Sequence, residues 1–217
     1  MTHNETATRA QLVEETLRLS PVMPVVTIHD AQTAADLARA FVRGGIRVIE
    51  VTLRTPAALQ AIEKIAAAVP EISVGAGTVL SIADLHAAAS AGATFAISPG
   101  ATPTLLAAGP TGPIPYIPAI ATASELMAGV AAGYRSFKFF PAGAAGGIPM
   151  LKALAGPFPE IRFCPTGGIT QETARAYLDL PNVLCVGGSW LTPSDALISR
   201  DWGRIELLAA KAAASRM

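Results

Sequence analysis

The sequence has no excess charge of either sign. Its 217 residues carry sixteen basic and sixteen acidic side chains, and the formal net charge is zero. Because nucleic-acid binding relies on a basic surface, this balance argues against a nucleic-acid partner. Cysteine is scarce too: Cys164 and Cys185 are too few for a disulfide framework or a structural zinc site. We expect both to be core thiols.

Long hydrophobic runs are also missing, although 51% of the residues are hydrophobic. No apolar stretch reaches the roughly 18 residues that a membrane-spanning helix needs. The first residues lack the basic start and apolar core of a signal peptide. The sequence therefore predicts a cytoplasmic, globular protein with no membrane partner.

Metal-binding and nucleotide-binding motifs are absent as well. The three histidines, His3, His29 and His86, lie far apart and outside any HExxH pattern, so no metal site is predicted. His29, near the first strand's end, is more typical of a turn or helix start than of a site. The segment GAGT at 75–78 lacks the third glycine of a dinucleotide fingerprint.

What the sequence does contain is a repeated unit: a short β-branched run, a turn, and an Ala/Leu-rich segment with helical spacing. The runs lie at 22–28, 45–53, 72–78, 93–98, 114–118, 136–140, 161–166 and 183–187. Helices are predicted at 31–42, 56–69, 82–91, 123–132, 171–179 and 205–214. Expected N-caps are Asp30, Thr55 with Pro56 behind it, Ser81, Thr122 and Thr170.

Strands that alternate with helices predict an α/β fold with parallel pairing. Eight units favour a single-domain (β/α)8 TIM barrel over an open doubly wound sheet. An extra N-terminal helix is predicted within residues 1–20, where the amphipathic segment 8–19 suits the barrel's lower mouth. No linker divides residues 1–217, so one domain is expected. Functional side chains should lie at the carboxyl ends of the strands.

Lys138 is the least expected residue of a predicted strand. It lies within SFKFF at 136–140, where Phe137 and Phe139 occupy one face and Lys138 the other. Burial of an amine favours its neutral, nucleophilic form, which is the chemistry of a Schiff-base lysine. The alternatives are a structural ion pair with a buried carboxylate and an edge strand whose lysine reaches out to solvent.

The second predicted strand places further charge on the interior face. Glu50, Thr52 and Arg54 share one face of GIRVIEVTLR at 45–54. A buried carboxylate is costly unless it is paired or functional. Beside an amine it provides proton transfer for carbonyl chemistry, and a mutual ion pair with Lys138 is compatible with that role. The guanidinium of Arg54 suits a substrate carboxylate.

The last two predicted strands end in glycine pairs. Thr166, Gly167 and Gly168 follow one strand, and Gly187, Gly188 and Ser189 follow the next. Loops after the last two strands of a barrel often bind phosphate through backbone N–H groups. Each pair alone is an ordinary turn, but their joint position indicates a phosphate site.

Six segments together are similar to those of a known family. They are EVTLRT at 50–55, VGAGTV at 74–79, FAISPG at 95–100, FKFFPA at 137–142, FCPTGGI at 163–169 and GGSW at 187–190. They closely resemble the 2-keto-3-deoxy-6-phosphogluconate (KDPG) aldolases, which include the bifunctional 4-hydroxy-2-oxoglutarate (KHG) aldolases. The likeness runs in order from about residue 22 to residue 202.

The resemblance implies a homotrimeric class I aldolase that needs no metal or other cofactor. Lys138 would form the Schiff base and Glu50 would act as general acid and base. The implied substrate-binding residues are Arg54 and Thr78 for the pyruvyl carboxylate, Pro99 and Phe140 for the pocket wall, and Gly167, Gly168 and Ser189 with Thr166 for the phosphate. The expected reaction releases pyruvate and glyceraldehyde 3-phosphate from KDPG, and also pyruvate and glyoxylate from 4-hydroxy-2-oxoglutarate.

Two segments depart from the family's usual pattern, which bears on the preferred aldehyde. PAIAT at 118–122 stands where PGIST is usual, and PAGAAG at 141–146 replaces a segment that often carries glutamate and asparagine. The alternatives are an aldolase for the galactonate epimer, an aldolase that prefers unphosphorylated 4-hydroxy-2-oxoglutarate, a phosphate-binding barrel isomerase, and a catalytically silent barrel. A silent barrel has no use for the interior charges of Lys138, Glu50 and Arg54.

Overall fold

The computed structural model describes residues 3–216, with side chains from 9 to 215. Short strands alternate with helices along this part of the chain. The strands are β1 (Val22–Val26), β2 (Val48–Thr52), β3 (Ser73–Gly77), β4 (Phe95–Ile97), β5 (Tyr116–Ile117), β6 (Ala119–Ile120), β7 (Ser136–Phe139), β8 (Arg162–Pro165) and β9 (Val186–Gly188).

Apart from the first, the α-helices lie on the outer side of the sheet. They are α1 (His3–Arg18), α2 (Ala34–Arg43), α3 (Ala58–Ala68), α4 (Ile82–Ser90), α5 (Pro103–Ala108), α6 (Ala123–Ala131), α7 (Gly147–Ala155), α8 (Gln171–Leu178), α9 (Ser194–Ser199) and α10 (Trp202–Ala213). None of the helices described between residues 3 and 216 is both long and apolar enough to cross a membrane.

All pairings between these strands are parallel. One sheet has the order β5-β4-β3-β2-β1-β9 and the other the order β6-β7-β8. Only Pro118 separates β5 from β6, and isolated bridges join Phe163 to Val183 and Thr166 to Gly187. The predicted α/β class with parallel strands is therefore confirmed, and the sheet curls into a concave and a convex face.

The two faces of the sheet pack into separate apolar clusters. Phe137 and Phe139 belong to the larger cluster, which lies between the convex face and the helices. Val48 and Cys164 belong to a smaller cluster on the concave face. Leu17 of α1 joins this smaller cluster and is fully buried, so the N-terminal helix packs against the amino-terminal end of the concave face.

Most predicted helix starts are confirmed, and one is wrong. Ser81, Thr122 and Thr170 each form a capping box. Asp30 caps a 3-10 turn at 31–33 that precedes α2. Thr55 does not cap α3, which begins at Ala58, because its hydroxyl donates instead to the carbonyl of Ile28.

Two strand boundaries also differ from the prediction. The fifth run continues past 118 and resumes as β6, since a proline has no N–H for the ladder and divides the strand in two. The last strand is β9 rather than 183–187. Val183 forms only the isolated bridge to Phe163, and residues 184 and 185 lie outside any strand.

Candidate active site

A buried ion pair lies at the centre of the concave face. Lys138 on β7 donates from Nζ to Oε1 of Glu50 on β2 at 2.9 Å and to Oε2 at 3.2 Å. Lys138 is only 4% exposed and Glu50 only 2%. Charges at this depth need a partner, and each residue provides it for the other. The predicted interior positions of both side chains are confirmed.

The neighbouring strand leaves room for the carboxylate. Gly77 ends β3, beside the strand of Glu50, and any Cβ at this position would overlap the Glu50 carboxyl group. The missing side chain lets the carboxylate lie against the β3 backbone while it accepts from the amine. Gly77 was not among the predicted site residues, although it lies in the GAGT segment.

An aromatic ring covers the other side of the amine. The Phe140 ring centroid is 5.4 Å from Lys138 Nζ, close enough for a cation–π contact. Phe140 packs in turn over Gly167, whose Cβ would lie 3.2 Å from the ring and whose φ of +96° favours glycine. Lys138, Phe140 and Gly167 therefore form one continuous wall at the carboxyl ends of β7 and β8.

Two buried thiols lie beside the ion pair. Cys164 on β8 is the register partner of Lys138, and Cys185 is buried next to it. A hydrogen bond from Cys185 lowers the pKa of the Cys164 thiol, burial raises it, and the charge of Lys138 lowers it further. The expectation of core thiols is confirmed.

Arg54 and Thr78 meet at the rim of the sheet. Arg54 donates from Nε to the Thr78 hydroxyl at 3.0 Å. Arg54 lies beyond the end of β2 and is exposed, so it is not on the interior face with Glu50 and Thr52 as predicted. Thr78 has a φ of +59°, which is rare for a β-branched residue. Strained backbone of this kind is concentrated at functional sites.

The glycine loop after β8 lies beside the loop after β7. Gly167 and Gly168 both have positive φ, and Gly168 is exposed. Gly143 donates its backbone N–H to the Gly167 carbonyl at 2.9 Å, and Ala142 donates to the Thr166 carbonyl at 2.8 Å. The segment 141–146, which departs from the family pattern, therefore packs directly on the predicted phosphate loop.

Ser189 lines an open cleft of about 590 Å³ at the carboxyl ends of β1 and β9. Thr27 and His29 line the same cleft. The Thr27 hydroxyl is 3.0 Å from the hydroxyl of Thr52, which is fully buried. Sequence reasoning missed Thr27, although it is two residues from Val25, whose register partner is Glu50. His29 lines this cleft as well, whereas the sequence favoured a position in a turn or at a helix start.

The remaining predicted residues lie at the same end of the strands. Pro99 follows β4 and is half-buried, and Thr166 follows β8 and is buried, with its side chain against Gly187. Among the described residues 3–216, no three histidine, cysteine, aspartate or glutamate side chains are grouped closely enough to hold a metal ion.

The sequence of this chain is similar to those of known aldolases. The family model described as KDPG and KHG aldolase matches residues 13–208. A 2-dehydro-3-deoxy-phosphogluconate aldolase from Pseudoalteromonas atlantica is 55% identical over 194 residues, which are 89% of this chain and 90% of that protein. A KHG/KDPG aldolase from Escherichia coli is 54% identical over 199 residues, covering 92% and 93% of the two chains.

A solved structure is also similar. It is the KDPG aldolase from Legionella pneumophila, with pyruvate captured at low pH as a covalent carbinolamine intermediate. Its sequence is 50% identical, the TM-score is 0.91, and the match covers 93% of this chain and 98% of that one.

Proposed function

The chain belongs to the KDPG and KHG aldolase family, and we propose that it is a class I aldolase that cleaves KDPG to pyruvate and glyceraldehyde 3-phosphate. The observation that carries the proposal is the buried contact between the Lys138 amine and the Glu50 carboxylate. It also cleaves 4-hydroxy-2-oxoglutarate, which shares the 2-keto-4-hydroxy acid unit.

Imine formation begins at Lys138. An ammonium group is not a nucleophile, so the amine must first lose a proton. The Glu50 carboxylate, 2.9 Å away, is positioned to accept it. The neutral amine adds to the C2 ketone to give a carbinolamine. Glu50 then gives its proton to the carbinolamine hydroxyl, which leaves as water, so the iminium forms and Glu50 is a carboxylate again. The similar Legionella structure holds a carbinolamine of pyruvate.

Carbon–carbon cleavage uses the same pair of residues. Glu50, directly or through a water molecule, removes the C4 hydroxyl proton. The C3–C4 bond breaks, its electrons move into the iminium to form an enamine, and glyceraldehyde 3-phosphate leaves. The enamine is protonated at C3, and hydrolysis releases pyruvate and returns the amine of Lys138.

The rim residues hold the two ends of the substrate. Arg54, fixed against Thr78, binds the pyruvyl carboxylate. Pro99 and Phe140 line the pyruvyl pocket. Ser189 and the glycines after β8 bind the phosphate, with Thr166 beside them. Support for the phosphate position comes from the exposed Gly168 backbone and from the start of α8 three residues later.

The fold and assembly follow the same family. We propose that residues 1–217 form one domain, a closed (β/α)8 barrel whose lower mouth is covered by α1. The bridges from Phe163 to Val183 and from Thr166 to Gly187 support closure between β8 and β9. Backbone bonds from Lys138 to Pro118 and from Phe140 to Ile120 support continuity across β6 and β7.

We propose a cytoplasmic homotrimer. The family motifs support the trimer, and the charged, membrane-impermeant phosphorylated substrate supports the cytoplasm. Light scattering on the purified protein should give three times the mass of one chain, and the mass of a single chain would refute the trimer.

The activity is tested by following pyruvate release from three substrates: KDPG, its galactonate epimer and 4-hydroxy-2-oxoglutarate. KDPG should give the highest kcat/KM. Lys138→Met should abolish release from all three. Lys152→Met is the matched control, because this lysine is exposed on α7, and it should retain full activity. Turnover by the Lys138→Met variant would refute the assignment of the Schiff base.

A further inference from the structure

We infer that Thr27 determines specificity on the aldehyde side, by accepting a hydrogen bond from the C5 hydroxyl of the substrate. The inference rests on the proposed aldolase function and adds a binding group outside the family motifs. It assigns to this site a preference for aldehydes that carry a hydroxyl group next to the carbonyl.

The position of Thr27 follows from strand register. Val25 on β1 pairs with Glu50 on β2. Thr27 is two residues further along the chain than Val25. It therefore lies roughly 6.6 Å nearer to the carboxyl ends of the strands than Glu50 does. At this level its hydroxyl is 3.0 Å from that of Thr52, and its side chain lines the cleft with Ser189.

The direction of the hydrogen bonds decides what Thr27 offers a ligand. Thr52 Oγ1 lies 3.1 Å from the carbonyl oxygen of Val26, which only accepts. Thr52 therefore donates its single proton to Val26, and Thr27 is the donor in the contact between the two hydroxyls. The proton of Thr27 is committed to Thr52, which leaves lone pairs on its oxygen. Thr27 thus presents an acceptor to the cleft.

One group of KDPG matches this acceptor. The C4 hydroxyl must give its proton to the base at Glu50, so it is not available as a donor during cleavage. The C5 hydroxyl keeps its proton and lies between the reacting carbon and the phosphate on C6. With the phosphate bound at Ser189, C5 lies next to the cleft that Thr27 and Ser189 line together. A site that hydrogen-bonds a substrate hydroxyl discriminates against analogues that lack it.

The test compares KDPG with its 5-deoxy analogue, which keeps the ketone, the C4 hydroxyl and the phosphate. Thr27→Val should lower kcat/KM for KDPG by roughly 3- to 10-fold, the effect of one hydrogen bond, and leave that for the analogue unchanged. Thr27→Ser should retain the preference of the wild type. Thr27→Ala repeats the comparison without the additional methyl group, should valine not be accommodated.

Thr94→Val is the matched control. Thr94 also contacts a second hydroxyl, that of Ser73 at 2.7 Å, and donates to a strand carbonyl, that of Val74 at 3.1 Å. It precedes β4 at the opposite end of the strands. Its substitution should leave kcat/KM for both substrates unchanged.

Each other outcome overturns the inference. Equal losses on both substrates in Thr27→Val would assign Thr27 a purely structural role, and no loss on either would remove it from the site. Loss of the preference in Thr27→Ser would exclude its hydroxyl as the acceptor. A wild-type protein that does not release pyruvate from KDPG would refute the proposed function itself, and this result is distinct from the other three.

Discussion

At the scale of single residues, the site depends on a charge pair that folding alone does not favour. Removing an amine and a carboxylate from water costs several kcal/mol for each ion, and apolar residues of similar volume are often at least as stable. Lys138 and Glu50 nevertheless contact each other at the centre of the concave face. The proposed chemistry accounts for their placement, because a Schiff-base amine needs a nearby acceptor for its proton.

The proposed proton-transfer role of Glu50 is tested by Glu50→Gln. The amide keeps the size and can still accept from the Lys138 amine, but it does not take a proton. General acid–base catalysis contributes roughly 10²- to 10⁴-fold, so kcat for KDPG should fall by about that factor. Circular dichroism should remain that of the wild type. Full activity would show that another group removes the C4 proton.

Gly77→Ala tests the placement of that carboxylate without changing it. The new methyl group would overlap the Glu50 carboxyl group and displace it from the amine. A displacement of about 1 Å lowers catalysis by about 100-fold, and we expect kcat to fall by this order. Gly203→Ala is the control, because a Cβ added at Gly203 would have space around it and would lie 3.7 Å from the Asp201 carboxylate. Equal activity in both variants would contradict the geometry of the pair.

At the scale of elements, sequence patterns predict those features that depend only on contacts between residues close together in the chain. Ser81, Thr122 and Thr170 are correct as N-caps because each bonds the backbone of its own helix. Thr55 fails because its hydroxyl has a distant partner, the carbonyl of Ile28. No local pattern contains that contact, and the same limit hid Thr27, whose partner Thr52 is 25 residues away.

The contribution of α1 is tested by two leucines of the same helix. Leu17 is fully buried in the concave cluster, whereas Leu12 is 44% exposed. Leu17→Ala should lower the free energy of unfolding by about 2–5 kcal/mol, and Leu12→Ala by less than about 0.5 kcal/mol. Denaturant titration measures both. Equal effects would mean that α1 does not pack into the concave face.

At the scale of the whole molecule, alternation along the strands is the most informative pattern. Because Phe137 and Phe139 alternate with Lys138, the sequence places the amine on the concave face, and the structure agrees. The prediction that the interior face of the second strand extends to Arg54 was wrong, because β2 ends at Thr52 and the chain turns before it reaches Arg54. Strand ends depend on pairing with neighbours, which one strand's sequence does not contain.

Stability at high pH depends on buried tyrosines. Burial raises the pKa of Tyr116 to about 12, partly offset by its hydrogen bond with Ser98. Below pH 10, Tyr116 is protonated in both the folded and the unfolded state. Between pH 10 and 12 only the unfolded state loses the proton, so the free energy of unfolding should fall by about 2–3 kcal/mol.

Denaturant titrations at pH 9 to 12 measure this loss, and Tyr116→Phe should make it smaller. The substitution also removes the partner of Ser98, so the slope against pH is the quantity to compare and not the stability at one pH. The same slope in both proteins would exclude Tyr116 as its source.

The central claim is that Lys138 forms the covalent intermediate. The most direct measurement is borohydride reduction in the presence of pyruvate, followed by tryptic mass mapping, with and without EDTA. Reduction traps the iminium as a stable amine that trypsin does not cleave. We predict one modified peptide spanning residues 136–152 in both samples. No adduct on Lys138, with activity lost in EDTA, would contradict the account and indicate metal-dependent chemistry.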